Sequence, residues 1–518
     1  MTTYHYLRVL LCIVASYLSN PLLDKTLGCV IITAKNEYQW KNSFSFLMAL
    51  IGAVIGLGNI WRFSYVLYSN GGGAFFIPYI ISILIMGVPF LILEYGLGAK
   101  FKDSLSNILK TINPRFEIIG WIISFIIFLV LTYYIVLVGW DLIYFVLSFF
   151  KGWTSNPNNY FVNNIIIGTN DLSGMGTFVL PTLISTTFIW ILTWLISHKS
   201  LDEGVSKVVN LLMPLLFIMM AIIVIYSFTL DGMDIGIREL LNPDWSYLGN
   251  INMWLAALGQ TVFSLSIGQA IIVTYASYLP EKTKLIDNVL LVVVANSIFE
   301  IFTALGVFSI LGFMVNESGI SLNEIATSGT GLLFVVFPKI FNIIGDTAYV
   351  IGPLFFLAVF FAGLTSLLAF LEPLSLGISK KFLIPRKKAM TILCIFGFLL
   401  SLMYMTYSGN YVLGVVDGFL NDFVIILTVI IQTVIFAWLF DLEKLLPTLN
   451  KYSKIKVGRT WVNCIKYVLP IFLSILWVFG IIHLINTAHS SEIIIEVLFL
   501  LLIIIVPLIL TILPSKKV

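Results

Sequence analysis

The chain has 518 residues, 59% of them hydrophobic and 11% charged, with a formal net charge of +3. Soluble domains carry roughly 25% charged residues, so a water-soluble globular protein is excluded, and no nucleic-acid partner is expected. The mean hydropathy is +1.03, and the apolar blocks reach the length of about 20 residues that crosses a lipid bilayer as helix; the short alternating segments of a membrane barrel do not dominate. The composition therefore points to an all-α polytopic membrane protein.

In chain order, residues 1–36 read as an N-terminal extension without an assigned role. The apolar run 6–18 inside it is short for a span and is followed by Asn20-Pro21. Twelve apolar segments then follow, at 43–68, 73–99, 119–150, 177–197, 204–230, 250–278, 285–315, 348–379, 389–407, 411–440, 463–486 and 492–513. The loops between them are short except for 151–176, 231–249, 316–347 and 441–462. With a cytoplasmic N-terminus, twenty-two Lys and Arg fall in inside loops and three, Lys151, Arg238 and Lys339, in outside loops. The positive-inside rule thus puts both termini in the cytoplasm of a multi-pass cell-membrane protein. Cys12, Cys29, Cys394 and Cys464 are scattered without metal or CxxC spacing, which argues against a disulfide framework or a zinc site. No nucleophile–base pair or phosphate loop stands out, so an enzyme is not expected.

Segments 1 and 6 break the composition of a stable span. Segment 1 contains Gly52-Ala-Val-Ile-Gly56-Leu-Gly58-Asn59, and segment 6 contains Ser264-Leu-Ser266-Ile-Gly268-Gln269. Each glycine costs about 1 kcal/mol relative to alanine in a helix interior, although glycines in membrane helices also serve close packing. The two interruptions lie five segments apart, so equivalent segments of two halves run in opposite directions. Residues 37–230 then form a first repeat, 250–440 a second, inverted one, and 463–513 two extra C-terminal helices. Paired broken helices in an inverted repeat are the pattern of a transport site near the bilayer midplane, where irregular backbone survives only if it lines a cavity or is buried in protein.

Five stretches in order sharpen this. The first runs from Trp40 to Gly98, with the core Ile51-Gly-Ala-Val-Ile-Gly-Leu-Gly-Asn-Ile-Trp-Arg-Phe63, then Asn70-Gly-Gly-Gly-Ala-Phe-Phe-Ile-Pro-Tyr79 and Glu94. The others are Tyr133-Tyr134, Gln260 to Tyr278, Asn296 with Glu300, and Phe361-Ala-Gly-Leu-Thr-Ser366. Together they resemble the neurotransmitter:sodium symporter family over residues 37–510.

The resemblance implies sodium-coupled symport of an amino acid by alternating access, with two sodium sites. The first sodium would lie among the Val54 carbonyl, the side chains of Asn59, Ser264 and Asn296, and the substrate carboxylate. The second would take the carbonyls of Gly52, Ile55 and Ala362 with the hydroxyls of Thr365 and Ser366. Read without the resemblance, Thr365-Ser366 hydrogen-bonds its own helix backbone. The substrate carboxylate would meet the amides around Leu57-Gly58 and the Tyr134 hydroxyl. Its side chain would face Ala53, Val130, Phe263, Ser264, Ser266, Gln269, Ser366 and Phe370. Gly56 stands where monoamine members of the family carry an aspartate, so the substrate is expected to bring its own carboxylate.

Among the charges in apolar segments, Glu94 matches a residue that braces the broken helices. Glu300 stands where chloride-requiring relatives place a serine, so its charge is expected to substitute for chloride. No role is assigned to Asp141 or Glu372. The outer gate is expected to be Arg62 with Asp417. At the inner gate the family's usual charges are exchanged, giving a Glu37–Lys380 latch. An ion channel and a sodium- and amino-acid-binding sensor on the same scaffold are the alternatives.

Overall fold

The computed structural model describes residues 39–40, 42–169, 171–280, 282–325, 329–487 and 490–515; the extension 1–36 and Glu37 lie outside the described residues. Segment 1 is two helices, α1 (Ser43–Val54) and α2 (Leu57–Ser69), which meet at 50°. Asn42 starts α1 by accepting a hydrogen bond from the Ser45 amide at 2.8 Å, a side-chain cap for an otherwise orphaned donor. Ile55 and Gly56 are extended and end it. The chain restarts because Asn59 caps its own helix: its Oδ1 accepts from the Gly56 amide at 2.8 Å while the Asn59 amide donates to the Gly56 carbonyl at 3.3 Å.

The next four spans are α3 (Gly72–Phe101), α4 (Pro114–Ser148), α5 (Leu180–Ser197) and α6 (Asp202–Ser227). Segment 6 divides into α7 (Ile251–Ser264) and α8 (Ile271–Ser277). Then come α9 (Leu285–Ser318), α10 (Ala348–Phe382), α11 (Arg386–Met405), α12 (Gly409–Leu439), α13 (Arg459–Ile482) and α14 (Ser490–Ile512). Ten long apolar helices and the two broken pairs account for the twelve segments.

Burial orders them. The apolar stretch of α4 is 94% buried, whereas α13 and α14 are 22% buried, so α4 is central and the last two helices are peripheral. Helix α10 packs against α4 in the opposite direction: Gly363 meets Val138, and Gly352 meets Ser148.

All four long loops, and one loop read as short, are more structured than their composition implies; 441–462 holds Leu442–Leu445 and Leu446–Asn450. The 231–249 loop holds the helix Met233–Leu241, with Gly236 pressed on the Phe308 carbonyl of α9. The 316–347 loop folds into Leu332–Val336 and Phe337–Ile343, and 151–176 begins with Pro157–Tyr160. Between α3 and α4 lies Leu105–Ile112, capped by Ser104. Helices this short leave too few turns for a periodicity to show.

At the foot of α4, Glu117 is 4% exposed and accepts from Lys381 at the end of α10 and from Lys110, each at 2.7 Å. Lys381 also donates to the Thr511 carbonyl of α14 at 2.9 Å. One buried ion pair therefore joins three helices and a loop helix. Removing one partner of such a pair strands the other charge, at a cost of about 3–5 kcal/mol. Glu117→Gln is expected to lose stability on that scale in thermal unfolding in detergent. Lys110→Ala, at a side chain 40% exposed, should cost less than about 1 kcal/mol; equal losses in both variants would contradict this assignment.

Candidate functional site

The two breaks face each other, one hydrogen bond crosses between them, and neighbouring helices supply others. Between α7 and α8 the backbone enters the left-handed region at Ser266 (φ 51°), Gly268 (φ 74°) and Ala270 (φ 60°). Such a conformation costs roughly 1–2 kcal/mol for a non-glycine residue and persists only where the surroundings enforce it. Here the Ser266 hydroxyl donates to the Ala53 carbonyl of α1 at 3.2 Å, and Gln432 of α12 donates to the Gly268 carbonyl at 2.8 Å. At the other break, the Leu57 amide donates to the Tyr134 hydroxyl at 3.0 Å.

These groups surround a cavity of about 320 Å³. Ala53, Leu57, Gly58, Val130, Tyr134, Phe263, Ser266, Gln269, Ser366 and Phe370 all line it, with Val54, Gly56, Asn59, Arg62 and Asp417. Ser264 does not line it; its hydroxyl is turned away and accepts from Asn296 at 2.7 Å. The edge of the Phe263 ring lies against Gly58, so close that a β-carbon there would sit 2.1 Å from Cε1. Above the ring the Arg62 guanidinium lies 4.7 Å from its centroid. A second cavity of about 590 Å³ begins on the far side of Phe263, between α2, α7, α12 and α13.

Two clusters of oxygens flank the smaller cavity. In the first, Asn59 donates to Asn296 Oδ1 at 2.9 Å and Asn296 donates to Ser264, so the three expected side chains form one chain of contacts. Glu300, fully buried, joins it through Asn59 at 3.2 Å and accepts from Gln260 at 2.7 Å and from Tyr79. In the second, the Ser366 hydroxyl donates to the Gly52 carbonyl at 3.3 Å, and Thr365 packs on the Gly52 α-carbon. Thr365 and Ser366 also bond their own helix, to Ala362 at 3.1 and 3.2 Å, so the local reading and the cross-helix one hold together. The extended Ile55 lies at the same break.

Opposite Phe263, the molecule is closed. The Trp40 indole donates to the Tyr275 carbonyl at 3.0 Å and its amide to Tyr278 at 3.1 Å. Tyr278 donates to Glu372 at 3.1 Å, and Arg386 grips both oxygens of Glu372, one at 2.6 Å. Arg386 also donates to the Lys199 carbonyl at 3.1 Å. Glu372, left without a role by the sequence, is the centre of this closure. Lys380 is exposed at the end of α10, and its expected partner Glu37 lies outside the described residues.

Other participants were missed. Tyr79 and Gln260 hold Glu300, Thr303 donates to the Asn59 carbonyl at 3.2 Å, and Asn421 bridges Asp417 (2.7 Å) to Tyr133 (3.1 Å). Each is a polar residue in an apolar helix, which is the signal that could have flagged it. Glu94 is fully buried on α3, with the Gly268 amide facing its carboxyl group.

The chain matches the model of the sodium:neurotransmitter symporter family over residues 37–160 and 150–515. It is 36% identical over 435 residues to an uncharacterized sodium-dependent transporter of Methanocaldococcus jannaschii, covering 84% of this chain and 88% of that protein. To the sodium-dependent serotonin transporter of Drosophila melanogaster it is 27% identical over 486 residues, covering 87% and 78% respectively.

The contact between Gly58 and Phe263 yields a structural prediction. Gly58→Ala is expected to force the ring off α2 and open the small cavity into the large one, which a structure of the variant would show. A ring left in place would contradict this.

Proposed function

This chain belongs to the sodium:neurotransmitter symporter family, and we propose that it carries an amino acid into the cell with two sodium ions by alternating access. The observation that carries the reading is the convergence of two oxygen clusters on one cavity at two helix breaks. Sodium in a low-dielectric site needs neutral oxygens in place of its water. Asn59, Asn296, Ser264 and the Val54 carbonyl suit a first ion; Thr365, Ser366 and the carbonyls of Gly52, Ile55 and Ala362 suit a second. Each charge moved through 100 mV is worth about 2.3 kcal/mol, so two ions with a zwitterion gain roughly 4.6 kcal/mol, about three decades of accumulation.

The N-terminus of α2 offers amides and a positive dipole end. A substrate carboxylate there would take the Leu57 amide and accept a hydrogen bond from Tyr134, since a hydroxyl both donates and accepts. It would also complete the shell of the first ion, so that neither binds well alone. Gly56 leaves little room: a β-carbon would stand 3.0 Å from both the Tyr134 and Ser366 oxygens. No protein carboxylate can enter there without displacing both, which favours amino acids over amines; serotonin belongs to the named relative and not to this reading. Gln269 and Phe370 at the cavity wall suit a substrate with a polar or aromatic side chain. Glu300 supplies a fixed negative charge beside the first ion and removes the need for chloride.

In this reading α1–α6 and α7–α12 are the inverted halves, Glu94 braces the unwound stretch at Gly268, and Arg62, Asp417 and Phe263 gate the outside. Trp40 with the Glu372–Arg386 pair closes the inside, helped by a Glu37–Lys380 latch of exchanged polarity.

The full chain in proteoliposomes, screened against twenty amino acids, is expected to show sodium-driven uptake that persists when chloride is replaced by gluconate. Gln269→Leu should shift the order of preferred substrates. Uptake that stops without chloride, or a profile unmoved by Gln269→Leu, would overturn the corresponding part. For the latch, Glu37→Lys is expected to impair uptake and Lys380→Glu added to it to restore uptake; a double variant no better than the single would sink it.

A further inference from the structure

Five carboxyl groups are buried within the described helices: Glu94, Glu117, Asp141, Glu300 and Glu372. Glu117 and Glu372 have cationic partners, Glu300 accepts from three side chains, and Glu94 is faced by the Gly268 amide. Asp141 is 0% exposed, and its two oxygens, like those of Glu94, have no hydrogen-bond partner among the described residues. Unlike Glu94, it has no backbone amide of the described residues facing it.

Its position is specific. Asp141 stands seven residues after Tyr134 and four after Leu137 on α4, on the helix face that lines the small cavity, because residues spaced by three, four or seven share a face. The cavity wall reaches Leu137, so Asp141 lies one turn beyond it, toward the Arg62 end. The Tyr134 hydroxyl is within its electrostatic range.

The surroundings carry little charge. On its own helix the neighbouring titratable groups are Tyr134 and Tyr144. Helix α5 has none, and the half of α10 packed on this part of α4 has only Tyr349. The elements beyond contribute Arg62 of α2, Tyr404 of α11, Tyr411 and Asp417 of α12, and Glu492 and Glu496 of α14. No hydrogen bond joins Asp141 to any of them among the described residues. An unpaired carboxylate in such a place costs several kcal/mol, which the neutral acid avoids.

We propose that Asp141 is a proton-binding site of the transport cycle: it holds a proton while the outer half of α4 is packed, and releases it when the outer cavity opens by one more turn and water reaches the carboxyl. The bond broken is the Asp141 O–H, the acceptor is water of the cavity, and re-burial takes the proton back. Transport is thereby tied to external pH through a group that touches neither sodium cluster.

The proposal rests on the alternating-access reading for its consequence but not for its first test. Infrared spectra of the full chain in lipid, recorded in H₂O and D₂O, isolate the C=O stretch of protonated carboxylic acids. Asp141→Asn is expected to remove one such component at neutral pH, and Asp141→Glu to retain it at a shifted position. An acid band unchanged in Asp141→Asn would overturn the proposal, whether or not the protein transports. In proteoliposomes, Asp141→Asn is expected to retain sodium-driven uptake with its dependence on external pH flattened, and a full pH dependence in that variant would also overturn it. Absence of uptake in the unmodified chain would instead defeat the symporter reading and leave the infrared result standing.

Discussion

An interrupted helix in the middle of a membrane exposes peptide groups that no solvent can satisfy, and every feature of the site follows from how that demand is met. Two interruptions placed back to back solve part of it, since the Ser266 hydroxyl takes the Ala53 carbonyl, and Tyr134 of α4 takes the Leu57 amide. Asn59 caps the restart of α2 and Gln432 holds the Gly268 carbonyl. What remains is a surplus of carbonyl and hydroxyl oxygens directed at one small volume. Such a surplus is costly in an apolar interior unless a cation balances it, so the strain of the fold and the affinity for an ion have the same origin.

The surrounding charges show the same economy in another form. Glu300 gathers Tyr79, Gln260 and Asn59 around its carboxyl group next to the first oxygen cluster. In the proposed cycle an anion there would lower the cost of bringing in a cation at a place where effective dielectric is low. Glu372 and Glu117, by contrast, are neutralised inside the protein by Arg386 and Lys381. Those pairs hold helices together, whereas Glu300 accepts from neutral donors.

Much of this architecture was legible because the bilayer filters sequence so strongly. Long apolar runs became helices almost as bounded by composition, and Gly, Asn, Ser and Gln inside segments 1 and 6 marked the breaks, since each is out of place in a span. The cavity wall followed from the same motifs, with Ser264 the exception because its hydroxyl is turned to Asn296. Pairing was not legible. Arg386 and Lys381 counted as loop charges at the end of a span, yet the chain turns and buries both; nothing in the order of residues says that Glu372 meets a residue fourteen positions on, or Glu117 one 264 positions on. Tyr79, Gln260 and Thr303 were hidden for the same reason: their partners come from other helices, and only packing brings them together. The short loop helices escaped because two turns carry no readable period.

The two ends of the cavity are closed by different contacts. At the Trp40 end, Arg386 grips Glu372 in the interior and ties in Tyr278 and the Lys199 carbonyl. Opening there must strand buried charges unless water enters as the pair parts, a barrier of several kcal/mol. At the Arg62 end a single aromatic ring lies on Gly58 beneath a guanidinium. Turning that ring breaks a cation–π contact worth about 0.5–2 kcal/mol and leaves Arg62 facing the large cavity. Opening the Trp40 side needs a free-energy source, and in the proposed symport cycle the filling of the two oxygen clusters would supply it.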